Sequence, residues 1–264
     1  LCKPTRHSYR ERMPRDTLTR EHIVRTAVAL LDEEGLDGLN MRELGKRLDA
    51  AATAMYWHVG NKDTLIRLAC DRVWGEIPLP DPESGNWRDA AETLATGMYT
   101  MIARHPWLLQ AQAGYLLYGP NKARHDDCVL AVYEHAGFDE DTADKAAATV
   151  FTFVLGTAAG ASATIALKRR LSRTGTPAPE TRLTAALTEA TAIARTHPRL
   201  RARIERATAS AGFTRHPDTG FTFGLAALLD GLSARVPNRG GAEQPLTCAE
   251  ISTHVQPTGA HGAE

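Results

Sequence analysis

Apolar residues recur along this chain at helical spacing. Ile23, Ala27, Leu30 and Leu31 share one face of a helix; Thr19 can cap its start, Glu21 suits its first turn, and Gly35 can take the left-handed position that ends it. The pattern predicts a first helix over 19–34. Asn40 opens the next, with Glu43 in capping-box position and Leu44 and Leu48 one turn apart. Asp49-Ala50 interrupts it, and residues 51–59 form a short third helix stopped by Gly60. A fourth runs from Asn61 to about Glu76, with Leu65, Leu68, Ala69 and Val73 inward. Two short helices joined by a tight turn on a longer first one is the helix-turn-helix layout, and no strand alternation interrupts it.

Pro78-Leu79-Pro80-Asp81-Pro82 cannot continue a helix and marks a boundary. Beyond it, Trp87, Ala91, Leu94, Met98, Met101 and His105 mark one face of another helix, which stops before Pro106. Further helices are expected near 107–115, 121–136, 139–169, 181–211 (broken at Pro198) and 218–235. Residues 172–179 read as a loop and those after Pro237 as a Gly/Pro-rich tail. The fold class is therefore all-α: an N-terminal three-helix domain with a helix-turn-helix, then a C-terminal helical bundle. The divisions are 1–18 a flexible basic arm, 19–64 the helix-turn-helix domain, 65–236 the helical body and 237–264 a disordered tail.

Charge changes this picture only locally. The 264 residues carry zero formal net charge, so attraction to nucleic acid must come from clustering. From Lys3 to Arg20 six Lys/Arg face two acids, an excess of four. Arg6, Arg10, Arg12 and Arg15 occupy the stretch where a signal peptide would need its apolar run, so a cytoplasmic protein is expected. Cys2, Cys70, Cys128 and Cys248 lie far apart, which provides neither a disulfide framework nor zinc-ligand spacing. The uncharged run 146–167 is long enough to span a membrane, yet its threonines and alanines suit the centre of a helical protein better, and no membrane partner is expected.

The stretch Ala54-Met55-Tyr56-Trp57-His58-Val59-Gly60-Asn61-Lys62-Asp63 carries the candidate chemistry. At about 100° per residue Ala52, Met55 and Val59 share a narrow arc with Tyr56 at its edge, while Thr53, Ala54, Trp57 and His58 fall outside it. An exposed indole needs a partner to cover it, and a major groove admits such a helix; the alternative is Trp57 tucked against a neighbouring helix. Lys62 opposes the macrodipole at a helix start by roughly 0.3–1 kcal/mol, which a DNA phosphate would offset; alone, it would read as a solvated surface lysine.

From Thr19 to Thr64, and above all over Met55–Val59 with Asn61-Lys62, the chain resembles the DNA-binding domain of the tetracycline-repressor (TetR) family. Ile77–Pro82 with Trp87-Arg88, Arg104–Trp107, Ala136–Phe138 and Val154–Gly156 resemble that family's tetracycline-repressor-type C-terminal domain. The resemblance implies a homodimeric, ligand-responsive repressor of an inverted-repeat operator on double-stranded DNA, released by a small molecule. By position, Arg42 would reach a base or phosphate, Thr53 and Tyr56 would contact DNA from the third helix, and His58 and Lys62 would hold phosphates. Asp49 stands where the family usually has glycine, and Ala51, Ala52 and Ala54 stand where polar base readers are common. Methyl contacts and DNA shape would then contribute more to readout, and the arm with Arg10, Arg12 and Arg15 either enters a minor groove or stays solvated.

The same resemblance implies an effector cavity in the body. Met98, Met101, Tyr115 and Phe151 could supply apolar lining, and Gln110, Asn121, His125 and Thr152 polar contacts. The tetracycline and magnesium ligands of the namesake do not reappear, so a bulky, partly apolar natural product is expected instead, with no cofactor and no metal. Helices containing Gly156 and Gly160, and Leu225, Leu228, Leu229 and Leu232, could pair with their symmetry mates. The rival from another class is an all-helical metal-dependent hydrolase built on His125-Asp126; without H-E-x-x-H, G-x-S-x-G or a P-loop, no catalytic residue is expected.

Overall fold

The computed structural model describes residues 18–83, 85–172, 179–209 and 219–237. The expected basic arm with Arg10, Arg12 and Arg15, the loop after residue 172 and the tail after 237 lie outside the described residues. Among those described there are eleven α-helices and no strand.

The head is built as its caps direct. Helix α1 (Arg20–Glu34) starts where Thr19 accepts from His22 N–H at 3.1 Å and ends at Gly35, whose φ of 73° suits a residue without Cβ. A 3₁₀ turn, Leu36–Gly38, follows, which the periodicity did not announce. Helix α2 (Met41–Arg47) is capped by Asn40 accepting from Glu43 N–H at 2.8 Å; the Glu43 carboxylate turns to Lys46 instead of completing a capping box. Asp49 takes the left-handed conformation with φ 46°, which an aspartate tolerates better than most residues. Gly45 makes the turn close: a Cβ there would lie 2.7 Å from the Ala50 carbonyl oxygen. Helices α3 (Ala52–Val59) and α4 (Lys62–Trp74) follow, the latter capped by Asn61 accepting from Thr64 N–H at 2.7 Å. Ile23, Leu30, Leu31, Leu44, Met55, Leu65 and Ile66 close the core between them, each contributing about 1.5–3 kcal/mol by burial.

The body comprises α5 (Trp87–Arg104), α6 (Trp107–Gly114), α7 (Pro120–Ala136), α8 (Glu140–Ser172), α9 (Pro179–Arg195), α10 (Pro198–Ala209) and α11 (Thr219–Ser233). Pro198, lacking an N–H, opens α10 and divides the expected 181–211 segment. Helix α5 is central, packed between α7, α8 and α11. Phe221 of α11 stacks on Tyr99 of α5 at 4.1 Å between ring centroids and near Phe153 of α8 at 5.9 Å. Leu225 and Leu229, expected at a symmetric interface, are buried inside the protomer instead, because their four-residue spacing continues the inward face begun by Phe221. Among the described residues no helix is long and apolar enough to cross a membrane.

Head and body meet at two joints. On α1, Asp32 Oδ1 accepts from Trp107 Nε1 at 2.7 Å and faces His105 Nδ1 at 2.7 Å. At the other ring nitrogen, Glu76 lies 3.2 Å from His105 Nε2 and also pairs with Arg104. The second joint is Asp71 on α4. Its carboxylate accepts from the backbone N–H groups of Asn121 at 2.9 Å and Lys122 at 3.1 Å, and from Asn121 Nδ2 at 3.1 Å.

Candidate nucleic-acid interface and interior cavity

Helix α3 is held from beneath by Met55 and Val59, both fully buried, which fixes the opposite face outward. Thr53, Tyr56, Trp57 and His58 are exposed there, and the Trp57 indole is 91% exposed, so it does not tuck against a neighbouring helix. Ala52, expected on the inward arc, is exposed because it opens the helix beyond reach of the core, and Ala54 is half-buried. Arg42 is exposed on α2 and, with Gly45, Lys46, Asp49 and Ala52, edges a shallow groove between α2 and α3. Lys62 is half-buried at the first residue of α4, beside the Asn61 cap. Arg42 thus lies on α2, Thr53, Tyr56, Trp57 and His58 on α3, and Lys62 at the start of α4. The exposed Lys46, which sequence reasoning passed over, lies in the same groove and was legible as a cation one residue beyond Gly45.

Between α5, α7 and α8 lies a cavity of about 260 Å³. Met98, His125 and Phe151 line it. Met101 does not; three residues further along α5 it turns to an outer groove shared with Glu76 and Arg104. Gln110 is exposed on α6, Tyr115 is half-buried where α6 ends, and Thr152 faces outward one residue after Phe151. Asn121 is taken up by Asp71, outside the cavity wall. The wall adds residues not expected there from the sequence, chiefly Lys122, Tyr133 and Asp126, the last singled out only for the hydrolase reading; Lys122 and Asp126 stand one helical turn apart.

One corner of the cavity is polar. Lys122 pairs with Asp126, and its ammonium lies 4.8 Å from the Trp74 ring centroid and 5.2 Å from that of Phe151. His125 packs on Trp74 at 4.9 Å, and its Nδ1 is 3.4 Å from Asp126 Oδ1. Burial pushes the Asp126 carboxyl up, but hydrogen bonds from His125 and Lys122 outweigh this and hold it below the ordinary value. Burial raises the Tyr133 phenol to about 12, so it stays protonated. Among the described residues no three His, Cys, Asp or Glu side chains converge as a metal site would require, and His125-Asp126 stands as a pair without a third donor.

The family model described as "Bacterial regulatory proteins, tetR family" matches residues 23–69, and that described as "Tetracyclin repressor-like, C-terminal domain" matches residues 79–236. The chain belongs to the TetR family. TetR-family proteins are DNA-binding transcriptional regulators rather than enzymes, which replaces the hydrolase reading. A relative, the HTH-type transcriptional repressor DrrR1 of Streptomyces coeruleorubidus, is 31% identical over 236 residues, 89% of this chain and 84% of that protein. An HTH-type transcriptional regulator of Saccharopolyspora erythraea is 37% identical over 145 residues, 55% of this chain; the match spans 61% of that relative's length. Among solved structures, ActR of Streptomyces coelicolor in complex with actinorhodin has a TM-score of 0.60 and 26% identity over 84% of this chain and 99% of its own.

Proposed function

We propose that this TetR-family chain is a homodimeric, cytoplasmic repressor that grips an inverted-repeat operator with two copies of α3 and lets go when a small molecule fills the cavity between α5, α7 and α8. The observation that carries the reading is Trp57: a short helix, pinned by Met55 and Val59, holds out an almost fully exposed indole beside Thr53, Tyr56 and His58. An apolar group of that size on the outside is paid for by a partner surface, and thymine methyls in a major groove fit it. Lys62 then holds a phosphate at the start of α4, Arg42 reaches the duplex from α2, and Arg10, Arg12 and Arg15 track the adjacent minor groove.

Residues 19–64 serve as the reading head and 65–236 as the effector and dimerisation body, with α4 as the lever between them. The cavity supports the effector half: His125 in its wall packs on Trp74, the last residue of the helix that Lys62 begins. ActR, a structural neighbour, has been solved in complex with actinorhodin, and this supports a small-molecule effector here also, which we read as a natural product. For the dimer, α8 offers Gly156 and Gly160, where an added Cβ would meet nothing within 4 Å, and α11 holds Phe223 79% exposed.

Selection of bound fragments from a randomised DNA pool tests the proposal. Enrichment of an inverted repeat with half-sites one helical turn or a multiple apart is expected, followed by release on adding an effector. Folded protein that enriches no sequence even at low ionic strength would overturn it.

A further inference from the structure

The joint between α1 and the end of α5 contains a histidine that neither the reading surface nor the cavity employs. His105 is 3% exposed, and each of its ring nitrogens faces a carboxylate. Asp32 Oδ1 lies 2.7 Å from Nδ1 and already accepts from Trp107 Nε1, which can only donate. Glu76 Oε2 lies 3.2 Å from Nε2 and accepts from the Arg104 guanidinium at 2.9 Å. Both oxygens are therefore acceptors, and only a ring carrying two protons satisfies them together. Among the described residues the charged groups that face the ring are Asp32 from α1, Glu76 from the segment after α4 and Arg104 from the last turn of α5, with the Trp107 indole set against it at 6.1 Å between centroids.

Loss of one proton changes this bridge in a defined way. A neutral imidazole keeps a single N–H, so one carboxylate then faces a lone pair, whichever nitrogen holds the proton. Burial disfavours the charged ring, but the hydrogen bonds to Asp32 and Glu76 outweigh it and raise its pKa above the ordinary value. The bridge is thus complete below about pH 6.5 and is lost as pH climbs through the raised value. The other joint, at Asp71, takes its donors from backbone and amide N–H groups, which do not titrate there. Raising the pH loosens one of these two fastenings between head and body and leaves the other.

Building on the reading of α3 as the operator-binding helix of a symmetric pair, we propose that the Asp32–His105–Glu76 bridge is a proton-operated latch: while the ring carries both protons the heads are seated at a fixed separation, and its deprotonation frees them and weakens operator binding. A loosely seated head must be ordered again when it meets DNA, and that ordering subtracts from affinity.

The test uses the full chain, His105→Gln and the operator duplex enriched by the selection described above, with anisotropy titrations at constant ionic strength from about pH 6 to pH 9. Wild-type affinity is expected to fall at least about fivefold more than that of His105→Gln across this range. His58, exposed on α3, is present in both chains and cancels in the ratio. Hydrogen exchange of α1, corrected for the intrinsic rate, should speed up over the same interval in wild type and stay level in the variant. Parallel affinity curves for the two chains would overturn the latch, even if exchange changes. If no duplex is enriched, the operator reading falls and exchange alone decides the latch: equal protection of α1 in both chains across the range would overturn it. Should His105→Gln not fold, Glu76→Gln replaces it: one carboxylate fewer should move the fall to lower pH, and an unmoved midpoint would overturn the latch.

Discussion

Asp71 lends α7 a cap from another helix, and the size of that loan can be measured. Gly119, at the N-cap position of α7, has no side chain to satisfy the first N–H groups. The Asp71 carboxylate on α4 does so across the joint, with N···O distances of 2.9 Å and 3.1 Å to Asn121 and Lys122. Losing a capping side chain costs about 0.5–2 kcal/mol, and losing an anion from a helix start about 0.3–1 kcal/mol more. Asp71→Ala should therefore lower the unfolding free energy of the full chain by about 2 kcal/mol, measured from urea midpoints by circular dichroism. Asp71→Asn, which keeps an acceptor oxygen but not the charge, should lose about half as much. Gly119→Ala supplies an independent check, because its Cβ would stand 2.5 Å from Asp71 Cγ and push the carboxylate away. That substitution alone should cost about 1–3 kcal/mol, and much less once Asp71 is alanine, a coupling of at least about 0.5 kcal/mol. Strictly additive effects, or an Asp71→Ala chain as stable as wild type, would refute the capping argument.

Three other outcomes are expected. Trp57→Ala should weaken operator binding about tenfold or more in fluorescence anisotropy while stability stays within about 0.5 kcal/mol, since the indole is 91% exposed; a large loss of stability would contradict this. His105 lies buried with a carboxylate at each ring nitrogen; burial pushes its pKa down, but the hydrogen bonds to Asp32 and Glu76 outweigh this and leave it raised. A group raised on folding contributes its full stability below its ordinary value of about 6.5 and loses it as pH climbs through the raised one, so the melting advantage of wild type over His105→Gln should shrink as pH rises above about 6.5. An advantage independent of pH would mean that the charge is immaterial. Gly156→Leu, at a position where an added Cβ meets no atom of the described residues within 4 Å, should leave the secondary structure intact yet convert the proposed dimer to monomer in sedimentation; an unchanged dimer would remove α8 from the interface.

Local chemistry explains what could be read in advance. Caps are contacts between near neighbours, so Thr19, Asn40 and Asn61 announced their helices, and Gly35 and Gly60 their ends. Met55 and Val59 were legible as the inward side of α3 because one periodicity governs both, whereas Ala52 shared the phase but had no core beneath it. The cavity was less legible. Its wall draws on three helices separated along the chain, and side chains adjacent in sequence part company there: Phe151 faces in and Thr152 out. Asn121 looked like a ligand contact because nothing local reveals that Asp71, fifty residues earlier, claims both its backbone and its amide. Leu225 and Leu229 were assigned to a dimer for a related reason: an apolar stripe states that it is covered, not by which chain.

The joint at Asp32 bears on how such regulators can be recombined. A hybrid that keeps this body and takes residues 19–64 from another protein retains Asp71 with α7, but it separates Asp32 from the His105 and Trp107 side chains that meet it at 2.7 Å. A donor head lacking an acid at that place would leave the Trp107 indole N–H and His105 Nδ1 without their acceptor, with only Glu76 still at Nε2, so grafted specificity would come with a loosely seated head. Choosing donors by the residue at that one position, before considering their operators, is the practical rule this contact supplies.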